Sequence, residues 1–494
     1  MRKLFFAAIL LFSFIGNGQT PVLHLDYNEQ DGSTFAINKA GSPDFQLSNN
    51  FNRPERVPGV SDNALRLDGF STWATADFTY NFDRAMTVET WISMECYPSD
   101  LDNGINNSQL KASALISQTI GENGFRISID TYGTWWFQVT INSQTYYVFS
   151  PDKFPLYQWA HVAGVVDGPG NKIRIYLNGV ELASANIPTS GTIEEANAPL
   201  VIGKTNADNE RWDGIFLINA INATIDETKI FATARSSTQL LQTYQDGLGT
   251  MANSGYDAIA VPYGRFTRDV QRPRYHAMPP ASWTNEPHGF SVGPDNKYHL
   301  YYQRTANGPF KFRTTWGHMT SMDLANWINQ KDALRPELTT INGSTNFDTQ
   351  GIWSGDAIVE GNTSYAFYTC VSTTGGIYNP GIALAKSTDD GFNNWQKLGP
   401  IIPKQFVDDF RDPYLWKEGN TNHMIIGAKI GGYRIPFLLY FNRSTIDDLA
   451  APTAFFRLLA TNGPWLGNMG NAGFRTFGKW ETPACCKSYR RQQD

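Results

Sequence analysis

The chain has 494 residues, of which 41% are hydrophobic and 17% charged, with a net charge of −6. That length gives room for two or three domains of about 150 residues each, and the lack of any basic block argues against nucleic acid as a partner. Aromatics are high at 14%, which suits large β cores and, equally, the stacking of sugar rings.

Residues 1–18 read as a signal peptide. Arg2 and Lys3 form the charged start, Leu4 to Ile15 the apolar run, and Gly16 and Gly18 precede a cut near Gln19. The run is too short for a membrane span and no cysteine follows it for lipid anchoring, so the reading is a protein that is secreted or held in the periplasm or cell envelope. From 19 to 246 come short β-rich runs broken by Gly, Pro, Asn and Asp. "ALRLDG" (Ala64–Gly69), "MTVETWISM" (Met86–Met94), "KIRIYLNGV" (Lys172–Val180) and "PLVIGK" (Pro199–Lys204) alternate apolar and polar residues as half-buried strands do. The "LNG" within the third is a hairpin turn signal. One amphipathic helix is expected at Ser236–Gly247, with a Ser cap and a Gly stop. Many short strands at this spacing predict a sandwich or jelly roll.

A linker over 247–262 follows, small and polar in "GLGTMANSGYDA" (Gly247–Ala258). Few contacts are expected to cross it, so a cut near Gly247 should free the first domain. Over 263–494 strands resume in another rhythm: "KYHLYYQ", "SYAFYT", "GIALAKS" and "NHMIIGAK" fit successive propeller blades. The stretch after Tyr275 has room for three or four blades. The terminal "ACCKSYRRQQD" has no strand pattern, so the expectation is an incomplete propeller in a truncated and weakly active chain. The four cysteines, Cys96, Cys370, Cys485 and Cys486, make neither a disulfide framework nor a zinc site. The seven histidines contain no H-x-x-x-H pair, so no metal ligand set is assigned.

Hydrolysis of a glycosidic bond needs two carboxylates, one to attack or activate water and one to donate a proton. Among 46 acidic residues, three are pinned by proline and flanked by aromatics: Glu286 in "WTNEPHG", Asp412 in "FRDPYLW" and Glu481 in "KWETP". Each alone reads as well as a structural turn.

Two resemblances organise these pieces. "LHLDY", "LRLDG", "TVETWI", "QWAHVAGVVD", "IRIYLNG", "LVIGK" and "ATIDETKIFATARS" are similar, in order, to laminin-G-like, concanavalin-type jelly rolls. That resemblance implies a fold, with either carbohydrate binding or a packing role. In the second half "WTNEPHG" resembles the W-M-N-D-P-N-G of family 32 glycoside hydrolases (invertases, levanases and inulinases). "HLYYQ", "TWGHMTSMDLANW", "WSGDAIV", "FRDP" and "WETP" are similar to that family's F-Y-Q, W-G-H-A-x-S-x-D-L-x-x-W, F-S-G-S-A, R-D-P and W-E-C-P.

The family resemblance implies a five-bladed propeller with Glu286 as nucleophile, Asp412 as transition-state stabiliser and Glu481 as general acid/base. It places Asn285, Gln303, Trp316, Trp353, Ser354 and Arg411 around the sugar, although blade-core packing is an equal reading for the two tryptophans. Two residues depart from the pattern: Glu286 replaces aspartate and His288 replaces asparagine. The expected whole is an all-β protein, a jelly roll followed by a propeller. Its expected activity is retaining hydrolysis of an oligo- or polysaccharide such as a fructan. No organic cofactor is implied, and calcium in the jelly roll has no evident ligand set. The alternatives are a propeller glycosidase acting on another furanoside or a hexoside, and a carbohydrate-binding protein without catalysis.

Overall fold

The computed structural model describes residues 20–99, 113–207, 211–212, 215–217, 219–254, 269–372, 378–404, 408–419, 421–430, 433–441, 446 and 457–460. The first half is a sandwich of two eight-stranded antiparallel sheets. In one sheet the central neighbours are Ala160–Asp167, Ala85–Met94 and Asn222–Phe231; in the other they are Trp135–Ile141, Asn123–Ile129 and Ser113–Ile120. Alternation decides the layering. Ile92, Phe137, Val162, Ile175 and Ile225 point inward and are buried in one apolar core. Each such side chain stabilises the fold by about 1.5–3 kcal/mol relative to exposure. The four strand expectations are met by Asn63–Asp68, Ala85–Met94, Lys172–Leu177 and Leu200–Ile202. The "LNG" turn is a hairpin with positive φ at Asn178 and Gly179.

The helix runs over Ser237–Ser254, past the expected stop at Gly247. Its start follows the sequence: Gln239 N–H donates to Ser236 Oγ at 3.3 Å and Ser236 N–H to Gln239 Oε1 at 2.9 Å, a reciprocal cap. Gly247 does not end it, because that glycine is there for packing. A Cβ at 247 would lie 2.4 Å from the Trp91 ring, on which Tyr244 also stacks at 5.5 Å. The proposed linker therefore begins inside a helix docked on the sandwich.

The second half carries three four-stranded antiparallel blades among the described residues, each a simple meander. Blade 1 comprises Trp283–Val292, Tyr298–Thr305, Thr315–Ser321 and Trp327–Asn329. Blade 2 comprises Gly351–Glu360, Thr363–Ser372, Tyr378–Ser387 and Gln396–Pro403. Blade 3 comprises Asp409–Glu418, Thr421–Ile430, Tyr433–Phe441 and Arg457–Ala460. The first strand of each blade packs against the first strand of the next, so these three inner strands line the axis. No helix among the described residues is long and apolar enough to cross a membrane.

The expectation of few contacts between the halves is wrong. Asn307, in the hairpin loop of blade 1, is buried against the sandwich. Its Nδ2 donates to the Tyr97 carbonyl at 2.5 Å and to Ser99 Oγ at 3.0 Å, while its Oδ1 accepts from the Cys96 thiol at 2.9 Å. Asn222 Nδ2 donates to the Ala306 carbonyl at 2.7 Å, and the Asp332 amide donates to the Tyr157 hydroxyl at 3.1 Å. Arg313 lies 5.3 Å over the Tyr132 ring, and Phe216 meets Phe310 at 5.7 Å. This seam is polar at its centre, which a linker's composition does not reveal.

Candidate active site

"WTNEPHG" is not a turn but the start of the first inner strand, and it is bulged. Thr284 pairs with Arg304 and Pro287 with Tyr302, so three steps on this strand match two on its neighbour. Pro287 supplies no N–H to the ladder, which makes the bulge the natural solution at that point. The same device recurs at the same height in the other blades. Blade 2 slips between Ile352 and Gly355, around Trp353 and Ser354. Blade 3 slips between Arg411 and Tyr414, around Asp412, whose φ is +59°. Each bulge re-aims a polar side chain towards the axis.

Two of the re-aimed groups, Glu286 and Ser354, meet directly, and Asp412 lies near enough to feel the Glu286 charge. Gln303 Nε2, on the second strand of blade 1, donates to Glu286 Oε1 at 3.0 Å, and it also contacts Ser354 Oγ. The Ser354 hydroxyl donates to the same Glu286 oxygen. Gln303 is buried while Glu286 is exposed, so a rigid amide holds a solvent-facing carboxylate. Asp412 is anchored through its backbone: its N–H donates to Thr369 Oγ1 at 2.9 Å, and that hydroxyl donates to the Ser354 carbonyl at 3.0 Å. Thr369 thus locks the second and third bulges together.

The electrostatics follow from this crowding. Burial raises the Asp412 carboxyl above its ordinary value, the Arg411 guanidinium opposes the rise, and the Glu286 and Asp409 carboxylates add to it. Glu286 and Asp412 therefore sense one another across the pocket, as paired carboxylates do. Arg411 Nε sits 3.1 Å from Asp409 and 3.7 Å from Asp412. Trp353 forms one wall, with Arg411 6.0 Å and Lys311 4.7 Å from its ring; Lys311 also lies 5.8 Å from Trp283.

Of the residues expected around the sugar, Gln303, Trp353, Ser354 and Arg411 come together with Glu286 and Asp412, and Asn285 lies exposed beside Glu286 in the bulge. Trp316 does not line the pocket. It is fully buried between Tyr301 and Tyr368, and it acts indirectly by donating its Nε1–H to the Trp353 carbonyl at 2.9 Å. Core packing, the commoner fate of a tryptophan, wins there. His288 turns away too: its ring lies 4.3 Å from Trp316, and burial lowers its pKa to about 3, so it stays neutral near the carboxylates. Glu481 lies outside the described residues. Sequence reasoning missed Thr369, Lys311 and Asp409, none of which sits in a distinctive motif. Among the described residues no group of three or more His, Cys, Asp or Glu could hold a metal ion.

Comparison with known proteins agrees with this geometry. Residues 276–448 match the glycosyl hydrolases family 32 N-terminal domain, and residues 67–241 match the Concanavalin A-like lectin/glucanases superfamily. The chain is 32% identical over 226 residues to a sucrose-6-phosphate hydrolase of Bacillus subtilis, covering 44% of this chain and 41% of that protein. It is 30% identical over 181 residues to a raffinose invertase of Escherichia coli, covering 35% and 36%. A solved Bombyx mori GH32 beta-fructofuranosidase is 29% identical over 39% of this chain and 38% of that one, with a TM-score of 0.32. The chain spans less than half the length of these relatives. Within it, the likeness is to the family 32 glycosyl hydrolase N-terminal domain at residues 276–448 and to the concanavalin A-like superfamily at residues 67–241.

Proposed function

We propose that this protein is an exported glycoside hydrolase that cleaves fructose-containing saccharides with retention of configuration. The observation that carries the reading is the pairing of Glu286 and Asp412 on the bulged inner strands of blades 1 and 3, with Glu286 held by Gln303 and Ser354. Both donors address Oε1, which steers the second oxygen as the attacking atom. Attack on the anomeric carbon forms the glycosyl-enzyme bond as the leaving oxygen takes a proton from Glu481; water, deprotonated by Glu481, then releases the sugar. Asp412, beside the reacting centre, stabilises positive charge developing on the ring. Trp353 supplies an apolar wall and Arg411 donors for hydroxyl groups. Names of relatives, a sucrose-6-phosphate hydrolase and a raffinose invertase, support fructose at the cleaved bond. Export rests on the apolar run after Arg2 and Lys3.

The test is a panel of sucrose, raffinose, 1-kestose, levan and non-fructose furanosides, with the first-formed anomer read by NMR. Release of β-fructose supports the proposal. Release only from another furanoside moves the substrate class, and binding with no turnover on any member overturns hydrolysis.

A further inference from the structure

The inner strands of the three blades belong to separate sheets, so no backbone ladder fixes one against another. Side chains must do it, and the spacing of Glu286 and Asp412 depends on how well they do. We propose that Asp356 is the positioning residue of this pocket, its carboxylate tying all three inner strands together just behind the bulges.

The proposal rests on the reading of Glu286 and Asp412 as the reacting pair, and its geometry is explicit. Asp356 lies two residues after Ser354 and is only 8% exposed. Its Oδ2 accepts the Leu415 N–H at 2.8 Å, on blade 3, three residues beyond Asp412. Its Oδ1 accepts the Ala357 N–H at 2.9 Å, on its own strand. The Gly289 N–H, on blade 1 and three residues beyond Glu286, faces the same carboxylate closely enough to favour its charged form, and an added Cβ at Gly289 would lie 3.3 Å from the Ala357 nitrogen. Gly289 can approach because it has no side chain: its φ is +62°, and a Cβ there would lie 2.9 Å from the Tyr301 ring. Burial pushes the Asp356 carboxyl up to about 6, and only backbone amides offset that penalty. A costly buried carboxylate is thus retained where the three strands converge. The similar family motif has serine at this position, whose single short hydroxyl cannot serve three separate amides.

Asp356→Asn keeps the shape but turns one acceptor into a donor facing an N–H. Three readouts on the full chain decide the matter. Amide hydrogen exchange should rise about tenfold or more in both 283–292 and 409–418, with the jelly-roll strands unchanged. On whichever saccharide the parent cleaves, kcat should fall about 10- to 100-fold while KM changes less than threefold, as expected for misplacement of reacting groups. Circular dichroism should report a retained fold; if Asn leaves too little folded protein, Asp356→Ser serves for the same measurements. Unchanged exchange in either strand, or unchanged kcat in a folded variant, overturns the proposal. A merely structural aspartate would lower thermal stability and leave kcat alone. Absence of turnover in the parent would count against the proposed function, and the exchange measurement would still decide the role of Asp356.

Discussion

Removing the Asn307 amide should uncouple the two halves. Asn307→Ala deletes two donated hydrogen bonds and one accepted from a thiol, all at a site where Cys96, Ser99 and Asn307 are buried. A neutral hydrogen bond contributes about 1 kcal/mol net, but a buried group left without its partner costs about 1–3 kcal/mol. The Tyr97 carbonyl and the Ser99 hydroxyl are both left so; the thiol, a weak donor, adds little. The sum is about 2–4 kcal/mol, near the top of the range for single substitutions. Scanning calorimetry is the assay. The parent should unfold in one main transition, and the variant should lose about 2–4 °C or split into two transitions, one per half. A loss below about 0.5 kcal/mol with a single unsplit transition would refute the claim that this seam couples the domains.

Three further outcomes follow from burial. The folded pKa of Asp356, about 6, lies above the ordinary value of 3.8, so its contribution to stability is fully present below about pH 4 and is lost as pH rises through 6. Urea titrations of the parent and Asp356→Asn should therefore shift in the variant's favour by about 2–3 kcal/mol between pH 4 and 7, and a constant difference would contradict this. Burial raises the thiols of Cys96 and Cys370, so iodoacetamide should modify neither until the protein is unfolded, as site-resolved mass spectrometry can check. Trp316→Ala should cost about 3–5 kcal/mol of stability. Trp353→Ala, at a half-buried wall, should change stability by about 1 kcal/mol and act mainly by weakening sugar affinity.

The strands were legible because their composition is local, although "MTVETWISM" and "SYAFYT" lie in strands buried on both faces rather than half-buried. Glu286 and Asp412 were legible through proline-pinned motifs and Gln303, Ser354 and Arg411 only through the family resemblance, and these five do converge. Their mechanism of convergence was not. A bulge and a turn use the same Pro and Gly signals, and only the register against the neighbouring strand tells them apart. Trp316 and Trp353 look alike in sequence, yet one faces the core and the other the axis, because the bulge at Ile352–Gly355 changes which way the chain points. Gly247 reads as a helix stop, but the Trp91 ring makes it a packing position. The seam around Asn307 has no periodicity at all, being built from single side chains on separate loops. Asp356 was hidden for the same reason: its partners are amides on other strands.

The central claim is that Glu286 carries out the attack, and Glu286→Gln tests it most directly. The amide keeps the size of the side chain and can still meet Gln303 and Ser354, but it lacks the negative charge the attack requires. On the saccharide the parent cleaves, kcat should fall by about 10³-fold or more. Calorimetric titration should find binding of the intact saccharide within about threefold of the Kd of the parent's sugar product, with the melting temperature nearly unchanged. Turnover close to that of the parent would mean that Glu286 is an exposed acid in a bulge and that another group performs the chemistry.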